Sequence, residues 1–215
     1  SGSSCLLYAL EKQGILDRGI GIEISSSRQE FAEKWKADHN FEKVENLNIN
    51  VKDCEFEVGS FDLIIMVDSA FNYFYPENHA LPDEVLENSW RFLCPGGFII
   101  FEMMTRIRDR ERCKEEGFHT YWIELPQDNP FRFALYRQEI LNQEESLILT
   151  QNIYIRRDGY IDDTKKEITR LYSIDDLKGL VSPKGFGNFK ATSNFEDAEY
   201  IEGESEKLAF LIKKE

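Results

Sequence analysis

The sequence predicts an α/β fold with a doubly wound, mostly parallel sheet, and three observations predict it. A small, glycine-containing turn, Ser1-Gly2-Ser3-Ser4, leads into an apolar helix and is followed about 20 residues on by a short apolar run ending in an acid, Gly19-Ile20-Gly21-Ile22-Glu23. Two further apolar runs, Phe61-Asp62-Leu63-Ile64-Ile65-Met66-Val67 and Phe98-Ile99-Ile100-Phe101, have the near-continuous character of strands buried on both faces. Amphipathic helical stretches separate these runs at the spacing of right-handed crossovers.

Taken in order, Ser3 or Ser4 can cap a first helix that places Leu6, Leu7 and Leu10 on one face, with Gly14 as its stop. Residues 19–24 read as a buried strand. Ser27-Arg28-Gln29-Glu30 has the form of a capping box, and Phe31, Ala32 and Trp35 give the helix behind it an apolar stripe. Residues 44–51 are a weaker, asparagine-rich strand candidate. Pro82-Asp83-Glu84 opens a helix carrying Val85, Leu86, Ser89, Trp90 and Leu93, which Pro95-Gly96-Gly97 ends. From residue 103 to about residue 130 charges crowd together (residues 106–112), then aromatics gather at Phe118, His119, Tyr121 and Trp122, which reads as a connection or lid without a sheet strand. Alternating stretches after Phe131, with Asp158-Gly159 as a two-residue hairpin signal, predict two or three antiparallel strands added to the core. Ser173-Ile174-Asp175-Asp176 starts a last helix stopped by Pro183, and residues 208–212 read as an edge strand.

Composition narrows the function classes. The 215 residues suit one α/β domain with an insertion. With 26 basic against 40 acidic side chains the formal net charge is −14, and no run of Lys and Arg stands against it, so neither a nucleic acid nor an anionic membrane is the expected partner. A small-molecule or protein substrate is expected instead. Cys5, Cys54, Cys94 and Cys113 are scattered and no histidine lies at ligand spacing from them, so neither a zinc site nor a disulfide framework is indicated and a reducing cytoplasm is expected.

Gly2, Glu23, the 61–64 run, Asp68-Ser69-Ala70-Phe71-Asn72-Tyr73, Leu93-Cys94-Pro95-Gly96-Gly97 and Tyr172-Ser173-Ile174-Asp175-Asp176-Leu177 with Gly185-Phe186 together resemble, in order and spacing, the class I S-adenosylmethionine-dependent methyltransferases. The Asp-Ser-x-x-Asn-Tyr string is most similar to small-molecule N- or O-methyltransferases, including glycine-type and amino-sugar enzymes. The resemblance implies a Rossmann-like core over residues 1–105 and 170–215, and a hairpin insertion after the fifth strand, residues 106–169, acting as a lid or dimerisation region. It also implies S-adenosyl-L-methionine as cofactor and a small-molecule acceptor, and with three histidines, no H-x-x-H and no acidic cluster typical of a metal a metal-free transfer is expected. Gly2 would be the last glycine of the family's first motif, Glu23 would hold the ribose, and Ile24 would pack on the adenine. Asn50, where the family usually has Asp, would accept from the adenine amine, and the backbone of Val51 would read the ring. Asp68 and Ser69 stand where the fourth strand meets the cofactor, with Phe71, Asn72 and Tyr73 leading into the substrate mouth. The chain starts inside the family's opening motif, so a longer N-terminus is expected.

Other readings stand beside these. Asp68 either caps the following turn or touches cofactor or substrate; Tyr73, Tyr75 and His79 are either packing or exposed groups or the catalytic set. A nicotinamide-dependent oxidoreductase shares the glycine turn and the ribose acid, and a non-catalytic methyltransferase-like subunit shares the fold.

Overall fold

The segment from Ser1 to Glu57 folds on a parallel βαβ unit whose polar residues are as tightly placed as its apolar ones. The computed structural model describes residues 1–104, 115–127, 129–142, 144, 146–193, 199–201, 205 and 207–214. It divides into two units, Ser1–Glu57 and Val58–Glu215. The expected charged run at 106–112 and Cys113 lie outside the described residues.

In the first unit, helix α1 (Cys5–Lys12) ends where Gly14, at φ 72°, bonds its N–H to the Glu11 carbonyl while Ile15 bonds to Leu10, a Schellman stop that only an uncrowded backbone adopts cheaply. Its start differs from expectation. Ser4 sits in the left-handed region at φ 57° and its hydroxyl caps no helical N–H; it donates instead to Asn46 Oδ1 at 2.6 Å. The residue that anchors α1 is Tyr8, buried at 2% exposure, while Leu6 is exposed. Strand β1 (Gly19–Ile22) pairs in parallel with β2 (Val44–Leu47), Gly19 opposite Val44 and Ile22 opposite Leu47. Helix α2 (Ser26–His39) connects them and begins earlier than the sequence suggests, with Ser25 as its N-cap residue, so the Ser27 capping box does not form. Of its expected stripe only Ala32 is buried; Phe31 and Trp35 are exposed and form an aromatic ladder with His39 along one side.

Asn46 ties this unit together. Its amide donates to Tyr8 Oη at 2.8 Å and to Glu33 Oε1 at 2.7 Å, while its oxygen takes the Ser4 hydroxyl; Tyr8 Oη in turn donates to the Ala32 carbonyl at 2.7 Å. One side chain thus joins β2, α1 and α2, with both amide hydrogens and the amide oxygen engaged. Gly21 makes room for it. A Cβ there would stand 2.5 Å from Ser4 Oγ and 3.1 Å from Asn46 Oδ1.

In the second unit, β3 (Phe61–Met66) runs parallel to β4 (Leu93–Met104), which continues antiparallel to β10 (Lys207–Lys214) and then β9 (Phe186–Thr192). The Pro95-Gly96-Gly97 stretch lies within β4 as an irregularity: the strand partner jumps from Leu93 opposite Phe61 to Phe98 opposite Leu63. Gly96 sits at φ 83°, and a Cβ on Gly97 would press on the Asp62 carbonyl at 3.0 Å. β3 is less covered than its apolar run suggests, with Leu63 at 41% exposure, and among the described residues it has a strand neighbour on one side only. Helices α3 (Phe74–Glu77) and α4 (Leu81–Phe92) precede β4, the latter burying Val85, Leu86, Ser89 and Phe92 as its period requires. Phe71 centres the core, its ring 5.1 Å from Phe101 and 5.3 Å from Tyr172. Helix α5 (Ile174–Val181) carries a complete capping box: the Asp176 N–H donates to Ser173 Oγ and the Ser173 N–H to the Asp176 carboxylate.

A separate antiparallel sheet, β5 (Phe118–Glu124), β6 (Phe131–Asn142), β7 (Leu147–Arg156) and β8 (Ile161–Arg170), has four strands where two or three were expected. The addition is β5, read from sequence as a connection. Its charges and aromatics hid a period of two that pairs Phe118 with Glu139 and Glu124 with Phe133. Among the described residues parallel pairing is confined to β1–β2 and β3–β4, and the expectation of a mostly parallel sheet is corrected: β5 to β8 join by connections too short for a parallel crossover, as at Gly159 between β7 and β8.

Placing an alanine at Gly21 displaces Ser4 Oγ from Asn46. Gly21→Ala is expected to destabilise the protein by about 1–3 kcal/mol, read as a lower urea midpoint, and by less in a Ser4→Ala background where the clashing hydroxyl is gone.

Candidate active site

In the first unit the candidate site is built on the carboxyl end of β1. Glu23 follows the strand, is 9% exposed, and is held from every side. Its backbone N–H donates to the Leu47 carbonyl and its own carbonyl accepts from Asn48 Nδ2 at 2.8 Å. The carboxylate bridges two backbone donors: Oε2 accepts from Gly2 N–H at 2.7 Å and Oε1 from Ser25 N–H at 2.8 Å. Gly2 presents that N–H from the left-handed region, φ 58°. Oε2 also faces the Ser1 ammonium at 3.7 Å, whereas Oε1, with one bond, keeps a lone-pair direction that can accept from a ligand hydroxyl.

The other expected cofactor residues of this unit are placed less uniformly. Ile24 is 65% exposed, an apolar side chain on the surface directly after Glu23. Asn50 is half-buried and caps the short turn Val51–Asp53, its Oδ1 accepting from Lys52 N–H at 3.2 Å, with a second lone pair left over. Val51 is half-buried at the start of that turn. Asn48, the residue that fixes Glu23 from just after β2, was not singled out from sequence; an asparagine-rich strand end was the available signal.

In the second unit the Asp68-Ser69 pair follows β3 with both residues left-handed, φ 54° and 60°. Their N–H groups are held by Glu102, Asp68 to the carboxylate at 3.1 Å and Ser69 to the carbonyl at 3.2 Å. Asp68 is exposed and Ser69 half-buried. The rest of the string divides between core and surface. Phe71 and Asn72 do not reach a mouth: both are fully buried, and Asn72 donates to the Arg170 carbonyl at 2.7 Å and accepts from Met104 N–H, joining β4 to β8. Tyr73 is exposed and donates to Glu167 Oε2 at 3.2 Å. Tyr75 lies between the Arg170 guanidinium, 4.1 Å from its ring centre, and the exposed His79, whose ring is stacked on it at 4.3 Å.

The antiparallel sheet adds residues that sequence reasoning missed. Its register sets Tyr121, Tyr136, Asn152 and Lys165 in one row across the four strands. His119, Gln138, Thr150 and Glu167 form the next row on the same face. Trp122 lies on the opposite face, packed edge-on against Phe133, so the aromatic group 118–122 does not act together. Burial pushes the Glu167 carboxyl up, but Lys165 Nζ at 2.8 Å and hydrogen bonds from Asn152 and Tyr73 outweigh it and hold the carboxyl below the ordinary 4.5. Burial raises the Tyr136 phenol, and raises Tyr172 much further. Among the described residues no group of His, Cys, Asp and Glu could hold a metal ion, and no helix is long and apolar enough to cross a membrane.

Residues 1–101 match the family model described as a methyltransferase domain. No curated protein matches the chain by sequence. Among solved structures, an S-adenosylmethionine-dependent methyltransferase from Clostridium acetobutylicum aligns at 15% identity over 99% of this chain and 80% of its own, TM-score 0.80. The CcbJ methyltransferase from Streptomyces caelestis aligns at 13% identity with the same coverage and TM-score 0.83. CalS10, an amino pentose methyltransferase from Micromonospora echinaspora with S-adenosylmethionine bound, aligns at 12% identity, again over 99% and 80%, TM-score 0.71. These neighbours show a Rossmann-like α/β fold.

A carboxyl held low by its fold contributes stability above its unfolded value and loses it as pH falls through the folded one. The urea midpoint of the wild-type protein is therefore expected to exceed that of Glu167→Gln at pH 7, and the gap to close as the pH is taken below the ordinary 4.5.

Proposed function

We propose that this chain, whose residues 1–101 match a methyltransferase domain, is a class I S-adenosylmethionine-dependent methyltransferase that methylates a small-molecule amine or hydroxyl, by in-line transfer without a metal. The observation that carries the cofactor half of this reading is the Glu23 carboxylate, buried, tied to Gly2 N–H and Ser25 N–H, and left with an acceptor position on Oε1. A ribose hydroxyl matches that position. Asn50 keeps a lone pair on Oδ1 for the adenine amine, and exposed Ile24 supplies an apolar surface for the ring. When bound, S-adenosyl-L-methionine supplies a methyl group on a sulfonium sulfur that is already an activated leaving group. Little is then asked of the side chains beyond aligning the acceptor and excluding water. An amine acceptor must be neutral when it attacks, and a hydroxyl requires a base. In this reading Tyr73, Tyr75 and His79 line the acceptor's approach, Asp68 and Ser69 form the strand-end turn at the cofactor, and no metal is needed to activate the leaving group.

The net charge of −14 supports a small acceptor over a nucleic acid or membrane. Two neighbours point the same way by their descriptions, an amino pentose methyltransferase and the sugar N-methyltransferase KedS8 from Streptoalloteichus. We assign residues 1–105 and 170–215 to the methyltransferase core and 106–169 to an insertion, whose outward face, with exposed Trp122 and Ile168, is offered as the surface of a homodimer. The nicotinamide reading has no support from the family match, and intact Gly2 and Glu23 favour an active enzyme over a silent subunit.

Calorimetry with S-adenosyl-L-homocysteine tests the site. Glu23→Ala is expected to weaken binding by about 1–3 kcal/mol, the worth of charge-assisted hydrogen bonds to the ribose; unchanged affinity in a folded variant overturns the assignment of Glu23.

A further inference from the structure

The face of the β5–β8 sheet that carries Asn152 and Glu167 is wrong for a purely structural surface. Gln138, Thr150 and Asn152 stand on adjacent strands at 4%, 9% and 4% exposure, where a sheet packed only for stability places apolar groups. Asn152 is the informative one. Its amide nitrogen donates to Glu167, which fixes the orientation of the side chain, and its Oδ1 is buried with no hydrogen-bond partner. A buried acceptor left unmade costs about 1–3 kcal/mol, and native structures keep few of them. Beside it Glu167, with a quarter of its side chain exposed, accepts from Tyr73 at 3.2 Å and from Lys165 at 2.8 Å, and its oxygens have lone pairs beyond those bonds.

We propose that this face, centred on Glu167 and Asn152, is the acceptor subsite and takes a small hydroxylated amine, gripping it by its ammonium group; this rests on the methyltransferase reading above. The groups with spare capacity, the Glu167 carboxylate and Asn152 Oδ1, are both acceptors, so the ligand must bring donors. An ammonium brings three and a charge complementary to the carboxylate, which a neutral hydroxyl lacks. The fixed charges lean the same way: Asp162, opposite Tyr154, and Glu167 stand near the ammonium of Lys165. Lys165 is half exposed, and an exposed ion pair is worth little, so it yields to a ligand cation at small cost. Thr150 and Gln138, linked at 3.3 Å, offer hydroxyl and amide groups that match the ring hydroxyls of such a molecule. Glu167 acts here as an anchor and not as the proton acceptor, because Lys165, Asn152 and Tyr73 hold it as a carboxylate of low basicity.

The test is calorimetry on the full chain, first with S-adenosyl-L-homocysteine and then, with that product saturating, with D-glucosamine, D-glucose and N-acetyl-D-glucosamine. Failure of the wild-type chain to bind S-adenosyl-L-homocysteine overturns the methyltransferase reading of the cofactor site. Given that binding, D-glucosamine is expected to bind at least about tenfold more tightly than D-glucose or the N-acetylated sugar. Glu167→Gln should abolish that preference, Glu167→Asp should keep part of it, and Asn152→Ala should weaken D-glucosamine, all with S-adenosyl-L-homocysteine affinity unchanged as the check that the variants fold. Equal affinity for the three sugars, or a preference that survives Glu167→Gln, overturns the subsite.

Discussion

A polar group taken out of water has to find a partner, and that requirement shapes both units more visibly than apolar packing does. Glu23 can be 9% exposed only because the backbone comes to it: Gly2 from a left-handed turn, Ser25 from the N-cap of α2. Those two bonds fix where α1 and α2 begin relative to β1. Asn46 repeats the arrangement one strand over, and Gly21 has no side chain because the oxygens it would strike are those that Asn46 and Ser4 share. The glycine turn, the acid and the short parallel pair are therefore parts of one polar frame. Changing any member leaves another buried without its bond.

The frame also explains how a site can be prepared before a ligand arrives. Glu23 spends part of its capacity on the fold and keeps part. A carboxylate with every lone pair used would be inert, and one with none used would not stay buried; one backbone bond on each oxygen is the intermediate that both fixes and exposes it. Asn50 shows the same division on a smaller scale, capping Val51–Asp53 with one lone pair of its amide oxygen. Such preorganisation lets a binding site contribute orientation without reorganising when the ligand enters.

What was legible in the sequence follows from what local pattern encodes. The runs at residues 19–22, 61–66 and 98–101, the glycine stop at Gly14 and the Ser173 box are local signals, and the structure carries each of them. The start of α2 differs from the sequence reading because Ser25, Ser26 and Ser27 run together and the choice between Ser25 and Ser27 is made by Glu23, a residue outside the helix. Asn72 looked like a substrate residue because polar residues in a strand-end string usually face outward; its partners are the Arg170 and Met104 backbones, 98 and 32 residues away. Strand β5 was hidden by composition, since its charges and aromatics mask a period of two when most of the strand is exposed. The Glu167 cluster was illegible for the same reason as Asn72: its members are gathered by the register of four strands, and no window of sequence contains that register.

Two buried asparagines make the distinction between holding a fold and serving a ligand concrete. Asn72 is 0% exposed and uses both ends of its amide, donating to the Arg170 and Met104 carbonyls and accepting from the Met104 N–H. Its polarity is fully accounted for by the joining of β4 to β8. Asn152 is almost as buried, and only its nitrogen is used. If structure alone had set both positions, Asn152 would lose nothing by becoming apolar except its bond to Glu167, a carboxylate that already has Lys165 and Tyr73. The pair is intelligible when Glu167 and Asn152 are taken as one device, the amide nitrogen steadying the carboxylate and the amide oxygen left facing a demand that the chain itself does not meet. Incomplete satisfaction at one buried site, within a unit that closes its other asparagine so fully, is what separates recognition from packing on this sheet.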